Sequence, residues 1–321
     1  MKGLGKEMKV LVTGGAGFIG SHLVERLIKE GLEVRVFDNF STGSPENLAA
    51  VASRIELVEG DICDYEVVRE AMQAVEVVFH QAALCSVERS LKEPQHTNAV
   101  NIGGTLNVLL AARDERVRRV VYASTSSIYG NTSALPKQEA QTPVPVSPYA
   151  VTKLAGELYC RMFYQLFGLE TFSLRYFNVF GPRQVPDSPY AAVIPRFISA
   201  LLRGEQPVIH GDGQQSRDFS YVDDVVGANI LAMKAHTGFG ETFNIACGQR
   251  TSVMQLACYL MELLGVAIQP VHGQPRAGDV RHSLADVAKA EALLGYRPST
   301  DLQAGLGYTV EWYRNHGGGI L

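Results

Sequence analysis

The stretch Lys9–Glu30, KVLVTGGAGFIGSHLVERLIKE, decides the fold. A β-branched run, KVLVT, passes directly into Gly14-Gly15-Ala16-Gly17-Phe18-Ile19-Gly20, and from about Ser21 apolar residues recur at helical spacing. In such a strand-loop-helix unit Gly14 permits the tight turn, Gly17 removes a side chain where backbone must approach a pyrophosphate, and Gly20 lets the helix pack closely on the strand. The amides at the helix start then point at phosphate. An ordinary glycine-rich turn has the same pattern, so the context matters. The next run, LEVRVFD, ends on Asp38, at the spacing where an acid binds the adenosine ribose hydroxyls. A carboxylate there repels the extra phosphate of NADP, so NAD is the expected cofactor.

Outward from this unit, the runs IELVEGD, VEVVFHQAA and VRRVVYAST alternate with amphipathic segments such as NIGGTLNVLLAARD. That alternation predicts βαβ units and a doubly wound parallel sheet of the Rossmann type, in the α/β class. YAVTKLAGELYCRMFYQLFG then reads as a helix and LETFSLRYFNVFG as a strand. Beyond Gly181 the chain turns proline-rich (GPRQVPDSPYAAVIPRF), then shows a helix ending at Gly204, a short strand PVIHGDG and a late strand-like ETFNIA. The expectation is an NAD-binding domain over 1–180 and a smaller, mainly substrate-binding lobe over 181–321, with some segments returning to the Rossmann sheet.

A net charge of -4 over 321 residues supplies no broad positive field, which argues against nucleic acid as a partner. Local arginines and helix N-termini still leave room for an anionic ligand. Cys63, Cys85, Cys160, Cys247 and Cys258 are scattered without ligand spacing, so neither a disulfide framework nor a metal site is expected. Together with an N-terminal apolar stretch too short for a signal or a membrane span, this predicts a soluble, cytoplasmic protein.

Chemistry is suggested by SPYAVTKLAGE, where Tyr149 and Lys153 lie four residues apart on one helix face. A phenol is a poor base at neutral pH, but an adjacent ammonium and a positive nicotinamide ring both favour the phenolate. On a loose pattern alone the pair is more often a surface contact; behind a dinucleotide loop it suits an acid-base tyrosine. The run Ser124-Thr125-Ser126-Ser127-Ile128-Tyr129-Gly130 ends a strand with hydroxyls at the sheet's carboxyl edge, where ligands of such folds bind. One of them is expected to share a hydrogen bond with a substrate hydroxyl. Asp61, in GDICD, either faces the adenine or caps a helix.

With TGGAGFIGSH, the Asp38 strand end, HQAA, STSSIYG, SPYAVTK and RYFNVFGPRQ in order, the chain resembles the extended short-chain dehydrogenase/reductase family of nucleotide-sugar epimerases and dehydratases over nearly its whole length. The resemblance implies Thr125, Tyr149 and Lys153 as the catalytic set, with Ser126 beside them and Lys153 bonding the nicotinamide ribose. It implies a tightly bound, recycled NAD held by Gly14, Gly17, Phe18, Ile19 and Gly20; by Asp38, Asn39, Ser41, Thr42 and Gly43; by Asp61 and Ile62; and by Gln81, Ala82, Ala83 and Tyr176.

Within the family, 4,6-dehydratases carry an Asp-Glu pair after the threonine and UDP-glucuronate decarboxylases keep the Glu; Ser126 and Ser127 stand there instead, which favours epimerisation. QAALCSVERS, YAAVIPRF and GDVRHS look like UDP-N-acetylglucosamine 4-epimerases. That likeness implies a UDP-sugar site drawn from Ser86, Asn178, Ala192, Val193, Val208, His210, Arg217, Arg276, Asp279 and Ser283. Small Ser283 replaces the bulky tyrosine of glucose-restricted epimerases and leaves room for an acetamido group, whereas Cys85 departs from the usual glycine. The alternatives are a decarboxylase or dehydratase on the same scaffold, and a non-enzymatic dinucleotide sensor. A homodimer joined through a four-helix interface is also implied.

Overall fold

Seven parallel strands form the centre of the computed structural model, which describes residues 8–185, 192–274 and 281–316. In chain order the elements run β1 (Lys9–Thr13), α1 (Phe18–Lys29), β2 (Glu33–Asp38), β3 (Ile55–Glu59), α2 (Tyr65–Ala71), β4 (Val77–His80), α3 (Val87–Lys92), α4 (Pro94–Asn98), α5 (Thr105–Asp114), β5 (Arg119–Thr125), α6 (Pro148–Phe167) and β6 (Glu170–Tyr176). They continue with β7 (Val179–Phe180), α7 (Val193–Leu202), β8 (Val208–His210), β9 (Ser216–Arg217), β10 (Ser220–Tyr221), α8 (Val222–Lys234), β11 (Glu241–Ile245), β12 (Thr251–Ser252), α9 (Val253–Leu264), β13 (Val271–Gly273), α10 (Ala288–Leu294) and α11 (Leu302–His316).

The sheet order is β3-β2-β1-β4-β5-β6-β11. Direction of travel reverses between β1 and β4, which leaves a crevice over their carboxyl ends, the place where doubly wound folds bind ligands. Side-chain alternation divides the core. Val10, Val12, Val34, Val36, Phe172 and Phe243 face α1 and α8, while Leu11, Phe37, Val78, Val120 and Tyr122 face α2, α5 and α6. Both faces are covered, which is why the strands read as near-continuous apolar runs.

The late segment ETFNIA returns to the sheet as β11, pairing parallel with β6 from Glu241↔Phe172 to Ile245↔Tyr176. It covers a strand edge that would otherwise expose unpaired amides. Three short two-stranded pairs, β7 with β10, β8 with β13 and β9 with β12, stand apart from the main sheet.

Helix α1 begins at Phe18, earlier than the periodicity suggests, because Gly17 takes the N-cap position in extended conformation. No side chain caps it, so the first-turn amides stay open. The run before α5 is π-helical over Ala99–Gly104 and not a plain α-helix. There Asn101 turns inward, accepting from Leu84 N at 2.8 Å and donating to Thr152 Oγ1 at 3.1 Å. This ties the loop after β4 to α6.

Candidate active site and family

A cavity of about 490 Å³ opens where β1, β2, β4, β5 and β6 end. From the first turn, Gly14, Gly17, Phe18, Ile19 and Gly20 line it; from the β2 end, Asp38, Asn39, Ser41 and Thr42. Asp61 and Ile62 follow β3, and Gln81, Ala82 and Ala83 follow β4. Gly43 lies outside the lining, and its bareness serves packing: a Cβ there would come within 2.8 Å of the Ala16 carbonyl carbon.

The glycine loop fits a dinucleotide pyrophosphate. Gly14 has φ of +69° and an added Cβ would sit 2.6 Å from Ala82 N, so the turn cannot widen. At Gly20 a Cβ would sit 2.1 Å from Gly14 O, so α1 is drawn tight onto the loop. Gly17 meets only Gly14 O, at 3.2 Å, and leaves the uncapped end of a twelve-residue helix facing the cavity. Asp38 steadies the loop by accepting from Ala16 N at 2.9 Å and Phe40 N at 2.8 Å. Asp64, not Asp61, caps α2. Asp61 accepts from Cys63 N at 2.8 Å and from Asn39 Nδ2 at 2.9 Å, at the cavity wall.

Thr125, Tyr149 and Lys153 meet at the opposite end of the same cavity, with Tyr176 beside them. Helix α6 sets the pair: Ser147 caps it by accepting from Ala150 N at 3.2 Å, Pro148 opens it, and Gly168 ends it in the left-handed conformation. The Thr125 hydroxyl lies close enough to Tyr149 to act on its phenol. Lys153 Nζ donates to Ala123 O at 2.8 Å and lies 4.9 Å from the centre of the Tyr122 ring. Burial pushes the Tyr149 phenol up, and the Thr125 hydroxyl pulls it partly back. Burial also pulls the Lys153 ammonium down, against the pull of nearby Cys85, Cys160 and Glu157. Burial thus disfavours the charged form of both groups.

The hydroxyls of STSSIYG separate in three dimensions. Ser124 and Thr125 both line the cavity, but Ser124 Oγ is spent on Glu157 Oε1, whereas Thr125 Oγ1 accepts from Ser127 N at 3.2 Å. Ser126 starts the short helical turn after Thr125 and does not line the cavity. Beneath the site His80 bridges Thr13 Oγ1 at 2.8 Å and Thr105 Oγ1 at 3.0 Å; burial takes its pKa down to about 3, so it stays neutral.

A second cavity of about 290 Å³ adjoins the first, and Asn178, Val179 and Gln184 line both. Ala192, Val193, Val208, His210 and Arg217 line it as well. Asn178 holds a left-handed backbone, φ 35°, with Nδ2 donating to Asp218 O at 2.9 Å and Ser283 Oγ at 3.1 Å. Ser283 is thus packed behind Asn178 and lines neither cavity, while Ser86 caps α3, accepting from Arg89 N at 3.0 Å. Arg276 and Asp279 lie outside the described residues.

The motifs did not mark Gln184, Phe219 and Val253 of the second cavity, nor Leu84 and Val100 of the first. These are apolar or neutral side chains, Leu84, Gln184 and Phe219 of them in irregular segments, with no chemical pattern to single them out. Asn229 was also missed: fully buried on α8, it donates to Tyr176 Oη at 2.8 Å and accepts from Gln81 Nε2 at 3.2 Å. Cys85, a departure by resemblance, lines the cavity as an exposed thiol.

The family model for the NAD dependent epimerase/dehydratase family matches residues 10–246. A UDP-glucose 4-epimerase of Thermotoga maritima, solved with UDP-glucose, is 42% identical with a TM-score of 0.92, covering 96% of this chain and 99% of that one. A UDP-N-acetylglucosamine 4-epimerase of Methanobrevibacter ruminantium, in complex with UDP-N-acetylmuramic acid, is 39% identical with a TM-score of 0.93, covering 97% and 100%. A UDP-N-acetyl-alpha-D-glucosaminuronate decarboxylase of Bacillus cytotoxicus is 35% identical over 317 residues, 95% of this chain and 98% of the relative. With glycine loop, acid, paired hydroxyl, tyrosine and lysine gathered around one cavity and the match running through all of them, the chain belongs to the NAD dependent epimerase/dehydratase family.

Proposed function

We propose that this chain is a 4-epimerase of UDP-sugars, with the UDP-GlcNAc and UDP-GalNAc pair as preferred substrates. One observation carries the choice among reactions. Among the described residues, the only carboxylates lining the cofactor cavity are Asp38, at the end of β2, and Asp61, just past β3. Elimination of water needs an acid and a base beyond the tyrosine, and around Tyr149 the described lining offers Ser124, Thr125, Lys153, Cys85 and Tyr176 but no carboxylate. A keto intermediate formed there has reduction as its open route.

When bound, NAD supplies the two-electron acceptor for C4 of the sugar and the donor for its return. Tyr149 takes the proton of the sugar 4-hydroxyl and later gives it back. Lys153 keeps positive charge beside the phenolate while itself tied to Ala123 O, and Thr125 orients the phenol. Asn178 and Arg217, with the second cavity, hold the UDP portion by resemblance and location, so that the 4-keto sugar turns over without leaving. The acetamido preference rests on resemblance, with the small Ser283 acting from behind the cavity residue Asn178 and not from the cavity wall. A panel of UDP-GlcNAc, UDP-Glc and UDP-GlcNAcA tests the reading: the product must have the substrate's mass. Loss of carbon dioxide or water makes the protein a decarboxylase or dehydratase instead, and NAD binding with no turnover makes it a sensor.

The proposed assembly is a homodimer through α5 and α6. Val151, Leu158 and Leu166 recur along α6 and are 49%, 57% and 68% exposed, a stripe that a second copy would cover. A monomer by sedimentation at micromolar concentration would rule this out. No helix among the described residues is long and apolar enough to cross a membrane.

A further inference from the structure

Behind the catalytic face lies a buried polar cluster to which the chemistry above gives no task. Glu157 on α6, Arg175 on β6 and Ser124 on β5 are 4%, 3% and 3% exposed. Arg175 grips Glu157 in a fork, Nε to Oε1 at 2.8 Å and Nη2 to Oε2 at 2.7 Å, and Ser124 Oγ donates to the same carboxylate. Arg175 Nη1 donates to Tyr129 Oη at 2.8 Å, and Tyr129 donates to Asn244 Oδ1 at 2.7 Å on β11. Apolar side chains of like volume hold a core together at least as well as a buried ion pair, so stability alone is a weak reason for the cluster.

Its placement supplies a better one. Tyr149, Lys153 and Glu157 follow one another at intervals of four along α6, so all three face β5. Strand alternation sends Ser124 toward α6 between two neighbours that serve the site: Ala123, whose carbonyl takes Lys153, and Thr125, which lines the cavity with Tyr149. Ser124 is also the register partner of Arg175, as Thr125 is of the cavity residue Tyr176. The carboxylate therefore pins helix to strand and strand to strand at the one level where the site is assembled.

The geometry points to Glu157 as a positioning residue that, with Ser124 and Arg175, clamps α6 to the ends of β5 and β6 so that Thr125, Tyr149 and Lys153 converge. The clamp rests on the epimerase reading only for its kinetic readout. Because the acid-base contacts act over hydrogen-bond distances, a small slip between α6 and β5 lowers the rate of proton transfer without loosening the distant pyrophosphate and uridine contacts.

Ser124→Ala removes one hydroxyl and leaves the ion pair intact. The expected result is a kcat about tenfold lower, with KM for the UDP-sugar and the Kd for NAD within about twofold, and recovery in Ser124→Thr. The triple variant Ser124→Ala/Glu157→Leu/Arg175→Met makes the cluster apolar; it is expected to keep its Tm within a few degrees yet lose about a hundredfold in kcat. A kcat in Ser124→Ala within twofold of wild type overturns the clamp, and so does a loss that falls on KM. If the wild type converts no sugar nucleotide, the epimerase reading has failed and the ultraviolet titration of Tyr149 in NAD-loaded protein, identified by difference from Tyr149→Phe, decides alone. An upward move of about one pH unit in Ser124→Ala supports the clamp, and an unmoved titration overturns it.

Discussion

Lys153 Nζ and Ala123 O stand 2.8 Å apart, so the buried ammonium is bonded to the strand that, two residues on, presents Thr125 to Tyr149. Helix α6 thus carries Tyr149 and Lys153, and strand β5 carries Thr125 and the carbonyl that anchors Lys153. Tyr149→Phe takes away the proton carrier and nothing else of size. Turnover should fall by at least about a thousandfold, while calorimetry shows NAD and UDP-sugar affinities within a few-fold of wild type. Activity within tenfold of wild type would sink the assignment.

Two glycines of the loop separate by their surroundings. At Gly14 an added methyl meets backbone at 2.6 Å in a left-handed residue, so Gly14→Ala should cost about 1–3 kcal/mol of stability and is read in denaturant unfolding. At Gly17 the added methyl meets a single carbonyl at 3.2 Å and otherwise projects into the cavity. Gly17→Ala should keep Tm nearly unchanged and weaken NAD binding about tenfold or more. Equal effects of the two substitutions on both measurements would contradict the loop geometry.

His80 makes stability depend on pH. Its folded pKa, about 3, lies below the unfolded value of about 6.5, so the unfolded chain takes up the proton first. The contribution of neutral His80 is complete above about pH 6.5 and is lost as pH falls from there toward about 3. His80→Gln should unfold more readily at pH 7, and its stability should decline less steeply than wild type between pH 6.5 and pH 4. Parallel declines would show that another group titrates.

Ser283 tests substrate preference. Ser283→Tyr places a bulky ring behind Asn178, and kcat/KM should drop at least about tenfold more for UDP-GlcNAc than for UDP-Glc. Because the change also removes the bond to Asn178, Ser283→Ala serves as the control for that loss alone. Equal losses on both sugars from the tyrosine would count against room for the acetamido group.

Cys85 is an exposed thiol on the cavity wall beside the catalytic pair. Alkylation by iodoacetamide should inactivate the enzyme, with UDP-sugar slowing the reaction and Cys85→Ser abolishing it. Cys63 and Cys258 are exposed as well but line neither cavity. Inactivation that persists in Cys85→Ser would place the sensitive thiol elsewhere.

Local chemistry made much of this protein legible in advance. The loop after β1 needs glycines for backbone reasons, the strand ends carry their acids and hydroxyls in short runs, and Tyr149 and Lys153 share a face because a helix repeats every 3.6 residues. Such features act over a few residues, so the sequence alone determined the nucleotide loop, the α/β order and the acid-base pair. What depends on contacts between distant segments became visible only in three dimensions. That the Ser124 hydroxyl of STSSIYG is already spent was decided by Glu157, thirty-three residues away, which accepts its hydrogen bond. Ser283 was set behind Asn178 and not in the cavity wall by a bond spanning 105 residues. The edge of the main sheet was closed by β11, from the half of the chain expected to form the other lobe. Periodicity reports which face of an element is apolar, whereas the partner of a polar group is chosen by where the folded chain brings a matching donor or acceptor, and that choice has no local signature.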